Sequence, residues 1–209
     1  MRKTALVAVF FLVASVHSAS AESSIDLYFG QVSTDSNQFT HIDSGGFVFN
    51  TTDSFAERPA FGIRASNWLT SNPNLGIALD FSYFRPDGEV TAVDTLPLSL
   101  LLSIRVPNRE AYQSRGKWFL YFSAGPALYL FDMHARLPYG DTFKGLGADL
   151  GLDARVGINW KISEKTAVFV ECRHTRFDVN GTYEDIFGWV QESIAMDIES
   201  DHINFGLSF

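Results

Sequence analysis

The feature that most constrains this chain is an alternation of apolar and polar residues that returns in segment after segment. It is clearest in KGLGADLGLDARVGINW (144–160), where every second residue from Leu146 to Trp160 is apolar and the residues between are Gly, Asp, Arg or Asn. A period of two places successive side chains on opposite faces of a β-strand. The segment therefore predicts a strand with one apolar face and one polar face.

The same pattern predicts about eight strands. In one of them aromatic residues occupy both faces, and there we place Tyr121, Ser123 and Gly125 on the polar face. Most of the segments approach the ~9–11 residues with which a tilted strand crosses a bilayer. The predicted strands are 25–32, 59–66, 74–84, 95–106, 118–131, 144–160, 166–177 and 202–209.

The polar faces carry too many charges for the core of a water-soluble domain, because burying unpaired charges is costly. If the apolar faces meet lipid instead, the charges can pair with each other inside a closed cylinder. Closure is required, since an open sheet edge in lipid leaves backbone groups unpaired. The sequence thus predicts an all-β, eight-stranded, antiparallel up-and-down transmembrane β-barrel. Its predicted lumen charge network is Arg64, Asp80, Arg105, Asp149, Asp153, Arg155, Glu171 and Arg173.

The connections between the predicted strands differ in length at the two ends of the barrel. Long outer loops and short periplasmic turns are typical of outer-membrane barrels. We expect outer loops at 33–57, 85–93, 132–144 and 179–199, and turns at 67–73, 107–116 and 161–165.

The first 21 residues have the layout of a secretory signal peptide, with Arg2 and Lys3 before an apolar run and an Ala-Ser-Ala cleavage site. We expect residues 22–209 to form one barrel domain. The net charge of −8 argues against a nucleic-acid partner. The single Cys172 leaves no intramolecular disulfide to form.

The chain resembles the small outer-membrane β-barrel family of Gram-negative bacteria, which includes the opacity proteins and the membrane domain of OmpA. The resemblance covers the whole mature chain, through LPLSLLLSIRV, FLYFSAGPALYLF, VFVECRHTRFDV and the ending MDIESDHINFGLSF. It implies location in the outer membrane, contact with its lipid and lipopolysaccharide, and recognition of the terminal Phe209 by the assembly machinery. Functions differ widely among such barrels, so the activity must be argued from the residues.

The lumen charges favour a structural plug, because the interior of an eight-stranded barrel is just wide enough for its own side chains. A small pore for ions or solutes is the alternative. The loops support a surface-interaction, adhesin-like role, since exposed aromatic residues beside acids can mark a binding patch. The candidate patch is Phe47, Phe49, Phe187 and Trp189.

An enzyme that modifies lipid A is the remaining hypothesis. His174 has Glu171 nearby in sequence but no serine two residues later, and nothing in the sequence ties Ser193 to it. The segment GLGADLG lacks the spacing of a dinucleotide-binding motif. We therefore expect no catalytic residue, cofactor or metal, and we expect a structural or surface-interaction protein of the outer membrane.

Overall fold

The structure, a computed structural model, describes residues 20–35, 37–42, 48–106, 118–136, 142–184 and 191–209. Most of the predicted signal peptide lies outside these residues. The described strands are β1 (Ser20–Thr34), β2 (Asn37–Ile42), β3 (Val48–Asp53), β4 (Phe55–Ala56), β5 (Arg58–Leu69), β6 (Leu75–Phe84), β7 (Asp87–Gly88), β8 (Thr91–Val106), β9 (Trp118–Arg136), β10 (Thr142–Lys161), β11 (Ala167–Glu184) and β12 (Gln191–Ser208).

Eight of these strands close into a barrel. The antiparallel order is β1-β5-β6-β8-β9-β10-β11-β12, and β12 pairs back onto β1 from Asp26↔Ser208 to Thr34↔Ser200. At the end of this seam, Phe209 exchanges two backbone hydrogen bonds with Ile25, at 2.9 and 3.0 Å. The predicted eight-stranded antiparallel barrel is confirmed.

The strands turn their apolar faces outward. Leu100, Leu150 and Phe205 are exposed on the outer surface, whereas Asp80 and Glu171 are fully buried inside. In β9, where aromatic residues occupy both faces, the side chains also alternate. Tyr121 and Ser123 are buried inside, as predicted, and Phe122 between them is exposed. An apolar outer face around a charged interior suits a barrel that lies in lipid.

Several strands continue past the predicted ends, so two of the predicted outer loops are too long. The β9–β10 ladder extends to Arg136↔Thr142, and the β11–β12 ladder extends to Glu184↔Gln191. The prediction was wrong there because it required an apolar face, whereas backbone pairing beyond the lipid needs none. The segment 33–57 likewise contains the β2–β3 hairpin, and β2 pairs with β12 from Ser193↔Ile42 to Ala195↔Thr40.

We name the two ends of the barrel by their connections. The short-turn end holds the turns at 70–74 and 162–166 together with Phe209, and the long-loop end holds β2, β3, β4 and β7. The predicted turn at 107–116 lies outside the described residues. Among the residues described, no helix has the length and apolar character needed to cross a membrane.

The interior has two layers of different chemistry. Towards the long-loop end lies an apolar core, which the sequence analysis did not predict because it treated the whole lumen as polar. In this core the rings of Tyr129 and Phe177 stack with centroids 4.2 Å apart. Its members are Val32, Ala60, Phe84, Val93, Ala127, Tyr129, Phe131, Met133, Ala135, Phe177, Val179, Met196 and Ile198. The charged layer lies towards the short-turn end.

Candidate functional site in the barrel interior

Arg155 lies at the centre of the charged layer. Its guanidinium donates to both oxygens of Asp153, at 2.9 and 2.8 Å, and forms an ion pair with Asp80 at 2.8 Å. A third carboxylate, Glu171, lies 3.5 Å away. The planar guanidinium has five donors in a fixed fork, which suits it to several carboxylates at once.

Arg64 joins the same layer from the neighbouring strands. It lies directly across from Asp26 on β1 and from Asp80 on β6 in the strand register, so cross-strand pairing brings opposite charges together. Arg64 Nε donates to Asp26 Oδ2 at 2.7 Å, and Nη1 donates to Glu171 Oε2 at 2.5 Å. The hydroxyl of Tyr121 donates to the same Glu171 oxygen at 2.8 Å.

Arg173 completes the layer. Its Nη2 donates to Asp153 Oδ2 at 2.8 Å, and its Nη1 donates to Ser82 Oγ at 2.7 Å. Ser99 Oγ donates to Asp153 Oδ2 at 2.6 Å. Asp80, Asp153 and Glu171 therefore receive their hydrogen bonds from the protein itself, as a buried charge requires.

Two residues of the predicted network lie elsewhere. Arg105 lies near the short-turn end, where it donates to Glu22 Oε2 at 2.7 Å and stacks 4.3 Å from the ring centroid of Trp68. Lys161 donates to the other oxygen of Glu22 at 2.7 Å. These residues form a second cluster, separate from the one around Arg155.

Asp149 departs further from the prediction, because it is half-buried and accepts a hydrogen bond from the backbone N–H of Asp178 at 2.9 Å. The β10–β11 ladder ends at Leu152↔Arg176, three residues before Asp149. The sequence correctly placed Asp149 on the inward face of its strand. It could not place Asp149 along the barrel axis, because alternation shows which face a residue lies on and not how far along the barrel it lies.

The sequence analysis missed several members of the interior network. Asp26 and Tyr28 share one face of β1, and both are buried inside the barrel. The hydroxyl of Tyr28 donates to Asp80 at 2.9 Å. The alternation in IDLYFGQV carries the signal that places both residues inside. Glu22, Ser82 and Ser99 carry no distinguishing signal of their own.

His174 lies on the outer face of β11, between two acids of β12. Its Nδ1 lies 2.8 Å from Asp201 Oδ1, and its Nε2 lies 3.3 Å from Glu199 Oε1. Its cross-strand partner is Asp201. Ser193 lies on β12 eight residues before Asp201, which is roughly 26 Å at the rise of a strand. Ser193 is therefore too distant to act as a nucleophile activated by His174.

The candidate loop patch falls outside the described residues. Phe47, Phe187 and Trp189 are not described, and for Phe49 only the backbone in β3 is described. Within the described part of the chain, no cluster of three or more His, Cys, Asp or Glu side chains could hold a metal ion.

The fold matches solved outer-membrane barrels at low sequence identity. OprG, an outer membrane protein from Pseudomonas aeruginosa, is 14% identical, with 91% of this chain and 97% of that chain covered and a TM-score of 0.63. The outer membrane protein AlkL, solved in lipid bilayers, is 17% identical, with 91% and 90% covered and a TM-score of 0.58. The outer membrane protease OmpT from Escherichia coli is 11% identical, with 91% and 97% covered and a TM-score of 0.52.

These identities establish a shared fold and no shared activity. One of the three proteins is a protease, so the fold alone does not decide whether this chain is an enzyme. No known family profile matches the sequence, and no curated protein matches it.

Proposed function

We propose that this chain is a closed, non-conducting outer-membrane barrel with a structural or surface-interaction role, carried by its long-loop end. The outward apolar faces and the fold shared with outer-membrane proteins support this location. The short-turn end then faces the periplasm and the long-loop end faces the exterior, as in other barrels of this kind.

The observation that carries the proposal is that two layers of side chains fill the interior, one charged and one apolar, and neither suits the passage of an ion. An ion that enters the charged layer has to displace Arg155 from Asp80 and Asp153, where all three side chains are fully buried. The layer above packs apolar side chains such as Phe84, Phe131 and Phe177 into the interior, so an ion that crosses it loses part of its hydration at a cost. Together the layers favour a plug over a conduit.

The long-loop end provides a braced surface for an interaction. The β2–β3 hairpin extends the sheet beyond the barrel by pairing with β12. Asp53, at the end of β3, is fully buried and accepts hydrogen bonds from the backbone N–H groups of Glu89, Val90 and Thr91, at 2.8 to 3.2 Å. The hairpin is thereby fixed to the start of β8.

The outer wall supports contact with lipopolysaccharide just above the lipid-facing band. On β11 the outward residues change from Val170 and Cys172 to His174 and Arg176, and Arg176 Nη2 donates to Asp197 Oδ2 at 2.7 Å. Charged side chains at this level suit the hydrated head-group region that borders the lipid-facing band.

The first test is electrical. The purified barrel, checked for folding by its mobility shift on boiling in SDS, is inserted into planar bilayers in 1 M salt. We expect no discrete channel openings from the wild-type protein. Regular openings whose conductance changes in an Arg155→Ala variant would show that the barrel is a pore and not a plug.

The second test concerns the surface. We would replace residues 43–47 or 185–190 with Gly-Ser linkers of equal length, leaving the described strands intact. Both variants should keep the mobility shift, and cells that carry them should lose adhesion to a surface that binds cells with the wild-type barrel. If cells with the wild-type barrel adhered no better than cells without it, the surface role would be wrong and only the structural role would remain.

The non-catalytic part of the proposal has its own measurement. Lipid A from cells that overproduce the protein is analysed by mass spectrometry beside lipid A from cells with an empty vector. We expect identical masses. A lost acyl chain that returns to normal in His174→Ala would make the protein a lipid-modifying enzyme.

A second candidate function is the binding of small apolar molecules in the upper interior. The observation that favours it is the side of the barrel at the long-loop end, where the β10–β11 ladder stops at Leu152↔Arg176 while β9–β10 pairing continues to Thr142. On β10 beside this break, Leu146 and Leu150 are 84% and 74% exposed. The break lies next to Phe177 and Val179 of the apolar core, so an apolar molecule would enter from lipid on this side once the strands separate.

Two core methionines, Met133 and Met196, report on this candidate, since the only other methionine in the chain is Met1. Methyl-labelled protein in micelles is titrated with n-octane and followed by NMR. Saturable shifts of both core methyl signals would support binding. Unchanged signals would eliminate this candidate and leave the closed barrel in place.

A further inference from the structure

One titratable side chain, His202 of β12, lies at the junction between the two interior layers. It is fully buried, and directly across from it in the strand register lie Arg173 of the charged layer and Val32 of the apolar core. The rings of His202 and Phe84 meet edge to face, with centroids 4.7 Å apart. Histidine changes charge more readily between pH 5 and 8 than any other side chain. A proton gained here would place a charge between the two layers.

The hydrogen bonds of the ring indicate which nitrogen carries its proton in the neutral form. Thr175 Oγ1 donates its hydrogen to the backbone carbonyl oxygen of Ser200, at 3.4 Å. The 3.2 Å contact between His202 Nε2 and Thr175 Oγ1 is therefore donated by Nε2. Nδ1 then carries a lone pair, and this atom is buried without a hydrogen-bond partner in the described part of the chain. The neutral ring thus leaves Nδ1 as the atom that can take a proton.

The surroundings of His202 oppose a positive charge on the ring. A proton on Nδ1 would become a buried donor with no acceptor, which is costly. The charged and titratable groups that act on the ring are Arg173, His174, Asp153 and Arg155. Of these, Asp153 attracts a cation, but its carboxylate already binds both arginines. The neighbours on β1 and β6 are Val32 and Phe84, and an aromatic ring is a weaker partner for a cation than a carboxylate.

Phe84 connects His202 to the rest of the apolar core. Its ring also meets Phe177 edge to face, with centroids 6.4 Å apart, and Phe177 stacks on Tyr129. Phe84 itself is fully buried. Close-packed interiors transmit strain, so a displacement of His202 reaches the core through Phe84.

From these contacts we propose that His202 is a pH-sensitive switch between the two layers. At neutral pH the uncharged ring packs against Phe84 and completes the apolar core. In acid, Nδ1 takes a proton from water, the imidazolium turns away to reach water or a carboxylate, and the packing around Phe84 loosens. The inference rests on the closed interior proposed above and adds a condition under which its apolar layer opens.

The test compares the wild-type barrel with His202→Gln, which keeps a donor for Thr175 and cannot take a charge. Urea unfolding in lipid vesicles is measured at pH 7.5 and pH 5.0. An unfolded histidine binds its proton at about pH 6.5 and the folded barrel resists it, so stability falls as the pH drops through this range. We expect the equilibrium constant for unfolding to rise about tenfold more in the wild type than in His202→Gln. An equal rise in both proteins overturns the proposal.

His174→Gln is the matched control. His174 lies on the outer face between Glu199 and Asp201, which can pair with its charge, so its replacement should not remove the loss of stability in acid. The methyl signals of Met133 and Met196 report on the core directly. At pH 5.0 they should shift or broaden in the wild type and in His174→Gln, and stay unchanged in His202→Gln.

A measurement on the wild type alone decides the proposal if His202→Gln does not fold. In protein labelled with nitrogen-15 histidine, NMR should show the proton of His202 on Nε2 at pH 7.5. A proton on Nδ1 at pH 7.5, or core methyl signals that stay unchanged at pH 5.0, overturns the switch. Channel openings at pH 7.5 would instead contradict the closed barrel, so failure of the proposed function and failure of the switch give different results.

Discussion

The carboxylate of Asp149 accepts a hydrogen bond from the backbone N–H of Asp178 at the level where the β10–β11 ladder has ended. Closer to the short-turn end, backbone carbonyls of β10 accept the hydrogen bonds from the N–H groups of β11. Close to the break, Gly151 allows the two strands to approach, since a Cβ at this position would lie 2.0 Å from the carbonyl oxygen of Arg176. A side chain therefore replaces a backbone acceptor where the strands separate.

This relationship predicts a local effect of Asp149→Ala. The variant leaves the Asp178 N–H without its acceptor, so its amide should exchange with solvent at least tenfold faster in hydrogen-exchange NMR. The mobility shift on boiling should be unchanged, because the site is not fully buried. Asp149→Asn keeps a side-chain oxygen and is the control. Equal exchange rates in all three proteins would mean that the bond contributes nothing to the order of β11.

The charged layer predicts a large loss of stability in Arg155→Ala. The change removes the guanidinium that Asp80 and Asp153 share, so two fully buried carboxylates lose an ion pair. Breaking a buried ion pair on one side costs ~3–5 kcal/mol. Urea unfolding of the barrel in lipid vesicles, followed by tryptophan fluorescence, measures this loss.

Arg85→Ala is the matched control for that measurement. The Arg85 side chain is 45% exposed and lies 3.5 Å from Asp94, so its pair is screened by water. Exposed pairs of this kind contribute up to ~1 kcal/mol. If both variants lowered the free energy of unfolding equally, the interior network would not be what stabilises the barrel.

A second large loss of stability is predicted for Gly125→Ala, because a side chain at this position has no room. The β8–β9 register skips Leu100 and Leu101, beside Pro126, which has no N–H to donate. At this irregularity a Cβ on Gly125 would lie 1.9 Å from the backbone carbonyl oxygen of Leu100. Because a backbone atom cannot rotate away, Gly125→Ala should cost at least the ~1–3 kcal/mol typical of overpacking.

Gly147→Ala is the comparison for Gly125→Ala. Its Cβ would meet the edge of the Phe131 ring at 2.5 Å, and a ring can turn. Unfolding in urea should therefore show a smaller loss for Gly147→Ala than for Gly125→Ala. The opposite order would indicate that the apolar core is packed more rigidly than the β8–β9 junction.

The architecture could be predicted from the sequence because, in a barrel, alternation shows which face of each strand contacts lipid. It placed Asp80, Arg155 and Glu171 on the inner face, and the structure shows which of their atoms form ion pairs. It could not give the height of each charge, because register depends on how neighbouring strands are staggered. Arg105 and Asp149 therefore lie outside the cluster around Arg155.

The apolar upper core was missed because the prediction took the inner face to be polar along its whole length. Phe84 has the same parity as Asp80, and Phe177 has the same parity as Glu171, so the period of two places both rings inside. Assigning the inner face by polarity alone does not find them. The long-loop strands were missed because they are polar on their outer face, as Asp178 and Asn180 are on β11.

The last prediction concerns the anchor of the β2–β3 hairpin, on which a surface role depends. Asp53→Ala removes the acceptor of the Glu89, Val90 and Thr91 N–H groups, and unpaired buried donors cost ~1–3 kcal/mol. The hairpin should detach from β8, so proteases should cut within 37–53 several times faster while the mobility shift on boiling persists. Asp53→Asn keeps one acceptor oxygen and should fall between the two. Cleavage at the wild-type rate in Asp53→Ala would mean that pairing of β2 with β12 holds the hairpin unaided, and the search for what positions the binding surface would move to that seam.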